Sequence, residues 1–281
     1  LIVNAKKYAK VPTTCLKITG IANFSILEKV SANSQLNETE KHEYNQVIKR
    51  LDSICKKAFD NNVEIYIDAE ETWIQVAIDR LAEVMMQKYN GKVAIVFTTL
   101  QMYRHDRLKY LQELIEKTTK QNFVLGAKIV RGAYLEKENE RANSNGYSTP
   151  MQPNKSATDN DYNSALKLMV DNIEKVELCA GTHNEDSAKL LCKLMADKGL
   201  ENSYRGIFFS QLYGMSDNIS FNLAHSGYNV SKYLPYGPVR DTLPYLIRRA
   251  RENTSIAGQM GRELALITKE LSRRKAQPTI N

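Results

Sequence analysis

The sequence has no run of apolar residues approaching the roughly 20 that a membrane-spanning helix needs, and its mean hydropathy is negative. It has four cysteines, Cys15, Cys55, Cys179 and Cys192, with no Cys-x-x-Cys pair among them. That argues against a disulfide framework and a structural zinc site, and reads as small buried hydrophobes in a reducing compartment. It has four histidines, none with a second His or Cys at ligand spacing, so no metal centre is expected. Neither Gly-x-Gly-x-x-Gly nor Gly-x-x-x-x-Gly-Lys-Ser/Thr occurs, which removes the usual Rossmann and P-loop nucleotide sites. A basic patch interleaved with aromatics is also missing. The net charge of +7 is spread along stretches such as 41–57, where Lys alternates with Glu and Asp as on solvated helix faces. Nucleic-acid binding is therefore not expected; contact with an anionic membrane surface stays open.

What is present is alternation. Short β-branched apolar runs at 14–19, 63–67, 93–98, 124–130, 176–180, 206–212 and 228–233 read as strands. Amphipathic patterns at 38–59, 73–89, 106–120, 160–172, 185–198 and 219–225 read as helices, followed by one from Thr242 and one over 261–274. Strict β/α alternation implies parallel strands joined by helical crossovers. The strands are continuously apolar, as in a sheet buried on both faces. This predicts one α/β domain over 1–281, a distorted (βα)8 TIM-like barrel with loop 143–158 beside its active face. A barrel of this type has eight strands, so a first strand–helix unit is expected upstream of Leu1.

Chemistry in such barrels gathers where the strands end. Those ends carry Lys17; Asp68; Gln101; Lys128 with Arg131-Gly132-Ala133; Thr182-His183; Gln211-Leu212; and Tyr233. Lys17 sits in an apolar run, where an unpaired ammonium is unfavourable, which favours a bound anion or acidic partner. Asp68, taken alone, reads as a cap for the following helix, and His183 as a helix-start hydrogen bond or a ligand contact. The sharpest pattern is Pro244-Tyr245-Leu246-Ile247-Arg248-Arg249-Ala250-Arg251-Glu252: helical spacing places Tyr245, Arg248, Arg249 and Glu252 on one face. Two adjacent guanidiniums there suit a carboxylate; the competing reading is a surface salt-bridge face.

In order along the chain, Leu16-Lys17-Ile18-Thr19, Ile67-Asp68-Ala69-Glu70-Glu71, Lys128-Ile129-Val130-Arg131-Gly132-Ala133-Tyr134, Thr182-His183-Asn184, Gln211-Leu212-Tyr213-Gly214 and the Arg248-Arg249 segment resemble the proline dehydrogenase family, in the branch shared by mitochondrial and some bacterial enzymes. The resemblance implies a barrel holding noncovalent FAD beneath a final helix. It assigns Lys17, Arg248 and Arg249 to the proline carboxylate, Asp68 to the ring nitrogen, and Leu212, Tyr233 and Tyr245 to the ring. Ala69, Gln101, Arg131, Gly132, Ala133, Thr182 and His183 would line the flavin and its ribityl and adenosine parts. Lys128, where many bacterial members carry Arg, would stand near flavin N5.

The activity so implied is oxidation of L-proline to pyrroline-5-carboxylate, by hydride transfer from C5 to flavin N5, with electrons passed to a quinone. The expected location is peripheral, on the cytoplasmic face of a bacterial inner membrane or the matrix side of the mitochondrial one. Hydroxyproline is the nearest rival substrate. A methylenetetrahydrofolate-reductase-like flavin barrel and a non-catalytic basic module are the more distant alternatives.

Overall fold

The computed structural model describes residues 1–8, 11, 13–240, 242, 243, 245–247 and 259–276. Seven strands are present among the described residues: β1 (Thr13–Leu16), β2 (Glu64–Ile67), β3 (Val96–Gln101), β4 (Leu125–Val130), β5 (Val176–Gly181), β6 (Ile207–Leu212) and β7 (Val230–Tyr233). They lie in sequence order in one sheet, every neighbouring pair parallel. Ahead of β1 runs α1 (Ile2–Lys7). The crossovers are α2 (Phe24–Ser31) with α3 (Glu38–Asn61), α4 (Thr72–Tyr89), α5 (Arg107–Gln121), α6 (Leu135–Asn145) with α7 (Lys155–Asp171), α8 (Glu185–Asp197) and α9 (Asp217–His225). The last described helix is α10 (Gln259–Ala276).

The sheet curls. Tyr233 on β7 donates its phenol hydrogen to Asp68 just past β2, at 3.0 Å, whereas five flat strand spacings would put these strands about 24 Å apart. Register then fixes what lines the concave side. Directly paired residues of parallel strands point the same way, and the pairs Cys15–Tyr66, Tyr66–Phe97, Thr99–Lys128, Lys128–Cys179, Cys179–Phe208 and Leu212–Tyr233 share one parity. Tyr66, Phe97 and Cys179, with Cys15 and Phe208 against them, form the small inner core. The opposite parity, such as Ile65, Ile67, Leu125, Ile129 and Phe209, packs under the helices as the main core.

Strand ends differ from the sequence reading in ways that matter for the site. The run expected to continue to residue 19 stops at Leu16, because Ile18–Gly20 turns into a short 3-10 helix with Lys17 at its start. Lys17 is therefore exposed rather than embedded in a strand. β3 begins three residues later than expected. The Asn90 side chain accepts from the amides of Ile95 and Val96 and donates to the carbonyls of Val96 and Val124, holding the approach to the strand out of the ladder. Its end moves accordingly to Gln101. The segment 143–158 is only partly loop. Gly146 at φ +68° ends α6 in the left-handed conformation, and Asn154 caps α7 five residues earlier than the periodicity indicated. Between them, 146–154 is stitched to the β3–α5 loop by His105 N to Pro150 O and Gln152 N to Tyr103 O.

Candidate functional site

The polar residues at the strand tips converge. Asp68, 8% exposed, accepts from the Lys128 ammonium at 2.5 Å through Oδ1 and from the Tyr233 hydroxyl at 3.0 Å through Oδ2. Lys128 is equally buried, and its ammonium lies 5.5 Å from the ring centres of both Tyr66 and Tyr233. Asp68 thus does not cap α4, whose N-cap is Glu71. Burial alone would push the Asp68 carboxyl up, but Lys128 and Lys17 outweigh it and hold it below its usual range. Burial works against the charge on Lys128, and the Asp68 carboxylate outweighs that in turn, raising the ammonium above the ordinary lysine value. The pair is therefore a desolvated carboxylate–ammonium unit with both partners charged. At the rim Lys17 Nζ donates to the Tyr134 hydroxyl at 3.0 Å. Although its side chain reaches water, the protein packed around it opposes the charge, and Tyr134, Asp68 and Glu70 outweigh that and raise the ammonium above its usual value.

The loops around this mouth are tied to each other. Gln101 donates to the Glu70 carbonyl at 2.9 Å and accepts from Ala133 N at 3.3 Å, linking the β2–α4 loop to the β4–α6 loop. Glu70 in turn accepts from the amide and hydroxyl of Thr19, just after Lys17. Arg131, expected to line the flavin, is engaged by protein. Nε bonds Asp159, Nη1 bonds Thr182, Nη2 bonds Ser187, and the guanidinium lies 4.5 Å over the Tyr162 ring. Gly132 has φ +142°, and a Cβ there would meet the Tyr103 ring at 2.5 Å, so packing on Tyr103 by itself requires glycine. Gly132 and Ala133 are exposed. His183 Nδ1 meets the Ser216 hydroxyl at 3.0 Å, and the following helix is capped by Asn184.

Of the residues singled out from sequence, Lys17, Asp68, Lys128 and Tyr233 come together. Leu212 sits opposite Tyr233 in register, and the Tyr245 ring lies 6.2 Å from the Tyr233 ring. Ala69 is buried beside Asp68. Arg248 and Arg249 lie outside the described residues. Sequence reasoning did not assign Tyr66, Tyr134 or Glu70. Tyr66 was within reach, since period-two counting back from Asp68 places it on the same face. Tyr134 and Glu70 lie in loops, where no period applies.

Deeper in the concave face, the Glu64 carboxylate accepts from the Tyr66 hydroxyl at 3.1 Å. Burial first, then the neighbouring Glu177, pushes its carboxyl up to about 7 against the opposing pull of Tyr66 and Arg205. A carboxyl raised in the folded state stabilises fully below its unfolded pKa of about 4.3 and loses that contribution as pH rises through about 7. Glu64→Gln should therefore raise stability at pH 8 by about 1–2 kcal/mol, with no gain at pH 4. Urea titrations at the two pH values check this; an equal effect at both would contradict the burial of that carboxyl.

Comparison with known proteins places this geometry. The family model described as "Proline dehydrogenase" matches residues 4–262. Proline dehydrogenase 1, mitochondrial, of Drosophila melanogaster is 40% identical over 251 residues, covering 86% of this chain and 37% of the fly protein. The hydroxyproline dehydrogenase of Xenopus laevis is 36% identical over 255 residues, 89% of this chain and 55% of that one. The carbapenem antibiotics biosynthesis protein CarD of Pectobacterium carotovorum is 33% identical over 274 residues, 98% of this chain and 70% of its own length. The chain thus spans well under half the length of the fly enzyme. Among solved structures, proline utilization A (PutA) from Bdellovibrio bacteriovorus inactivated by N-propargylglycine superposes with a TM-score of 0.77 at 22% identity, covering 91% of this chain and 27% of that one. It shares the barrel-like fold. A family match that runs through every strand and the mouth they form settles membership: the chain belongs to the proline dehydrogenase family.

Proposed function

We propose that the mouth oxidises L-proline, with FAD as the bound acceptor. The observation that carries this reading is the buried Asp68–Lys128–Tyr233 unit on the concave face, with the Lys17 ammonium at its rim. Such an arrangement matches a small zwitterion: a cation for its carboxylate, an anion for its amine, and an aromatic wall for its ring. The residues are also compatible with a flavin. Exposed main chain at Gly132 and Ala133 allows close approach, and Lys128 offers a fixed positive charge where negative charge develops on reduction. When bound, FAD supplies the two-electron acceptor for the hydride leaving ring C5, and a membrane quinone the onward sink.

The side chains do the rest by orientation. Lys17, joined in this proposal by Arg248 and Arg249, fixes the carboxylate. Asp68, held ionised, faces the ring nitrogen. Leu212, Tyr233 and Tyr245 press the ring flat, and Lys128 is kept charged by Asp68. Ala69, Gln101, Arg131, Gly132, Ala133, Thr182 and His183 form the cofactor side; here Arg131 acts by bracing Thr182 rather than by offering a free fork. No described helix is long and apolar enough to cross a membrane; the contact with a bilayer proposed here is a peripheral one. The mitochondrial naming of the fly relative supports the mitochondrial one of the two expected locations.

Purified protein should be yellow, and L-proline added anaerobically without nicotinamide should bleach it. A colourless protein, or a flavin that proline leaves oxidised, would overturn the reading. The similarity to hydroxyproline dehydrogenase supports a second substrate. Tyr233, its hydroxyl bound to Asp68 over the ring site, argues for plain proline. Bleaching by hydroxyproline at equal or lower concentration would reverse that preference.

A further inference from the structure

α6 is an unusual helix to find at the mouth. It buries only Glu138 and Ala142, so it lacks the apolar face by which a surface helix ordinarily seats itself. Polar contacts must hold it. Glu138 is 0% exposed, yet no cation among the described residues pairs with its carboxylate; it accepts from the Thr72 amide at 2.7 Å and the Thr72 hydroxyl at 2.6 Å. The amide is an orphan donor of the first turn of α4, whose own N-cap residue, Glu71, makes no side-chain cap bond. Glu138 therefore caps α4 from another helix, at the positive end of the α4 dipole. Around it, Lys137 pairs with Glu71 and Arg141 with Glu28. The same two cations enclose the Trp73 ring at 5.6 and 4.3 Å. The other end of α6 begins at Tyr134, whose hydroxyl takes the Lys17 hydrogen bond.

We propose that Glu138 is a positioning residue for the substrate site: by capping α4 it seats α6, and through Tyr134 it fixes the Lys17 ammonium where the substrate carboxylate docks. This rests on the reading of Lys17 as a carboxylate ligand. It also accounts for a buried carboxylate on a helix that could otherwise have offered an apolar side chain there. Removing it uncaps α4 and releases the end of the loop Arg131-Gly132-Ala133, which joins β4 to α6.

The chain's single tryptophan reports α6 directly, because Trp73 lies between Lys137 and Arg141. Glu138→Ala should increase acrylamide quenching of Trp73 and raise the KM for L-proline roughly tenfold, with kcat within about threefold, as expected for a weakened ground-state contact. Glu138→Gln keeps one acceptor and should fall between wild type and Glu138→Ala; it carries the test alone if the alanine variant does not fold. The Tyr134→Phe/Glu138→Ala double variant should have a KM no higher than the worse single one, since both act on Lys17. Unchanged Trp73 quenching in the Glu138 variants would show that Glu138 does not seat α6. Increased quenching with an unchanged KM would show that α6 does not set the site. Either result overturns the inference. Failure of proline to reduce the wild-type flavin would instead strike the proposed function, and the two failures are read from different samples.

Discussion

Lys128→Met should destabilise the protein by about 3–5 kcal/mol near neutral pH, the usual consequence of leaving one member of a buried ion pair unpartnered. Asp68 and Lys128 are each 8% exposed, so water does not solvate the carboxylate left behind. Tyr233 keeps its hydrogen bond to Asp68, but a phenol does not neutralise a carboxylate. In wild type the Asp68 carboxyl is depressed, so its stabilising contribution is present above the unfolded carboxyl pKa and disappears only as pH falls below it. In the variant the sign inverts. Desolvation then raises that carboxyl, and stability is lost as pH climbs through the raised value. Lys128→Met should consequently be closer to wild type at pH 4 than at pH 8, and adding Asp68→Asn should recover most of the loss at pH 8. Urea unfolding of wild type and the two variants checks this; a change under about 0.5 kcal/mol for Lys128→Met at pH 8 would show that the charge is solvated by another route.

Lys17→Met should lower kcat/KM for L-proline roughly tenfold to hundredfold, the size of a hydrogen bond to a charged group. Lys17 is exposed at the rim, so the protein should tolerate the change with little loss of stability. The site should also lose preference for substrates carrying a carboxylate, while amines without one are affected far less. Comparing the two classes separates a carboxylate ligand from a residue that merely shapes the loop. Arg249→Met should act in the same direction under the same proposal.

The strand order, the parallel topology and most helix positions were legible in the sequence because each follows from local periodicity. The helices expected at 38–59, 73–89 and 185–198 are α3, α4 and α8 to within two residues at either end. The site was half legible. Lys17, Asp68 and Tyr233 could be placed at strand ends by counting, and Lys128 within β4. Their pairing could not, because Asp68 finds Lys128 and Tyr233 at separations of 60 and 165 residues, and no local pattern encodes that. Arg131 shows the same limit: its partners Asp159, Thr182 and Ser187 are all distant in sequence, so no local pattern marks them. α2 and α6 were missed for opposite reasons. α2 is a short helix of eight residues, whereas α6 is so polar that composition read its end as loop. The early stop of β1 and the late start of β3 depend on a 3-10 turn after Lys17 and on the Asn90 side chain, which propensity does not anticipate.

The central claim is that a carboxylate held at the rim places a ring against the buried Asp68–Lys128–Tyr233 unit. Anaerobic stopped-flow reduction of the flavin by L-proline and by pyrrolidine, the same ring without its carboxylate, tests it most directly. The account predicts that wild type reduces with proline at least roughly a hundredfold more efficiently, on the scale of one or more charged hydrogen bonds, and that Lys17→Met closes much of that gap. Equal efficiencies in wild type, or a gap untouched by Lys17→Met, would contradict it.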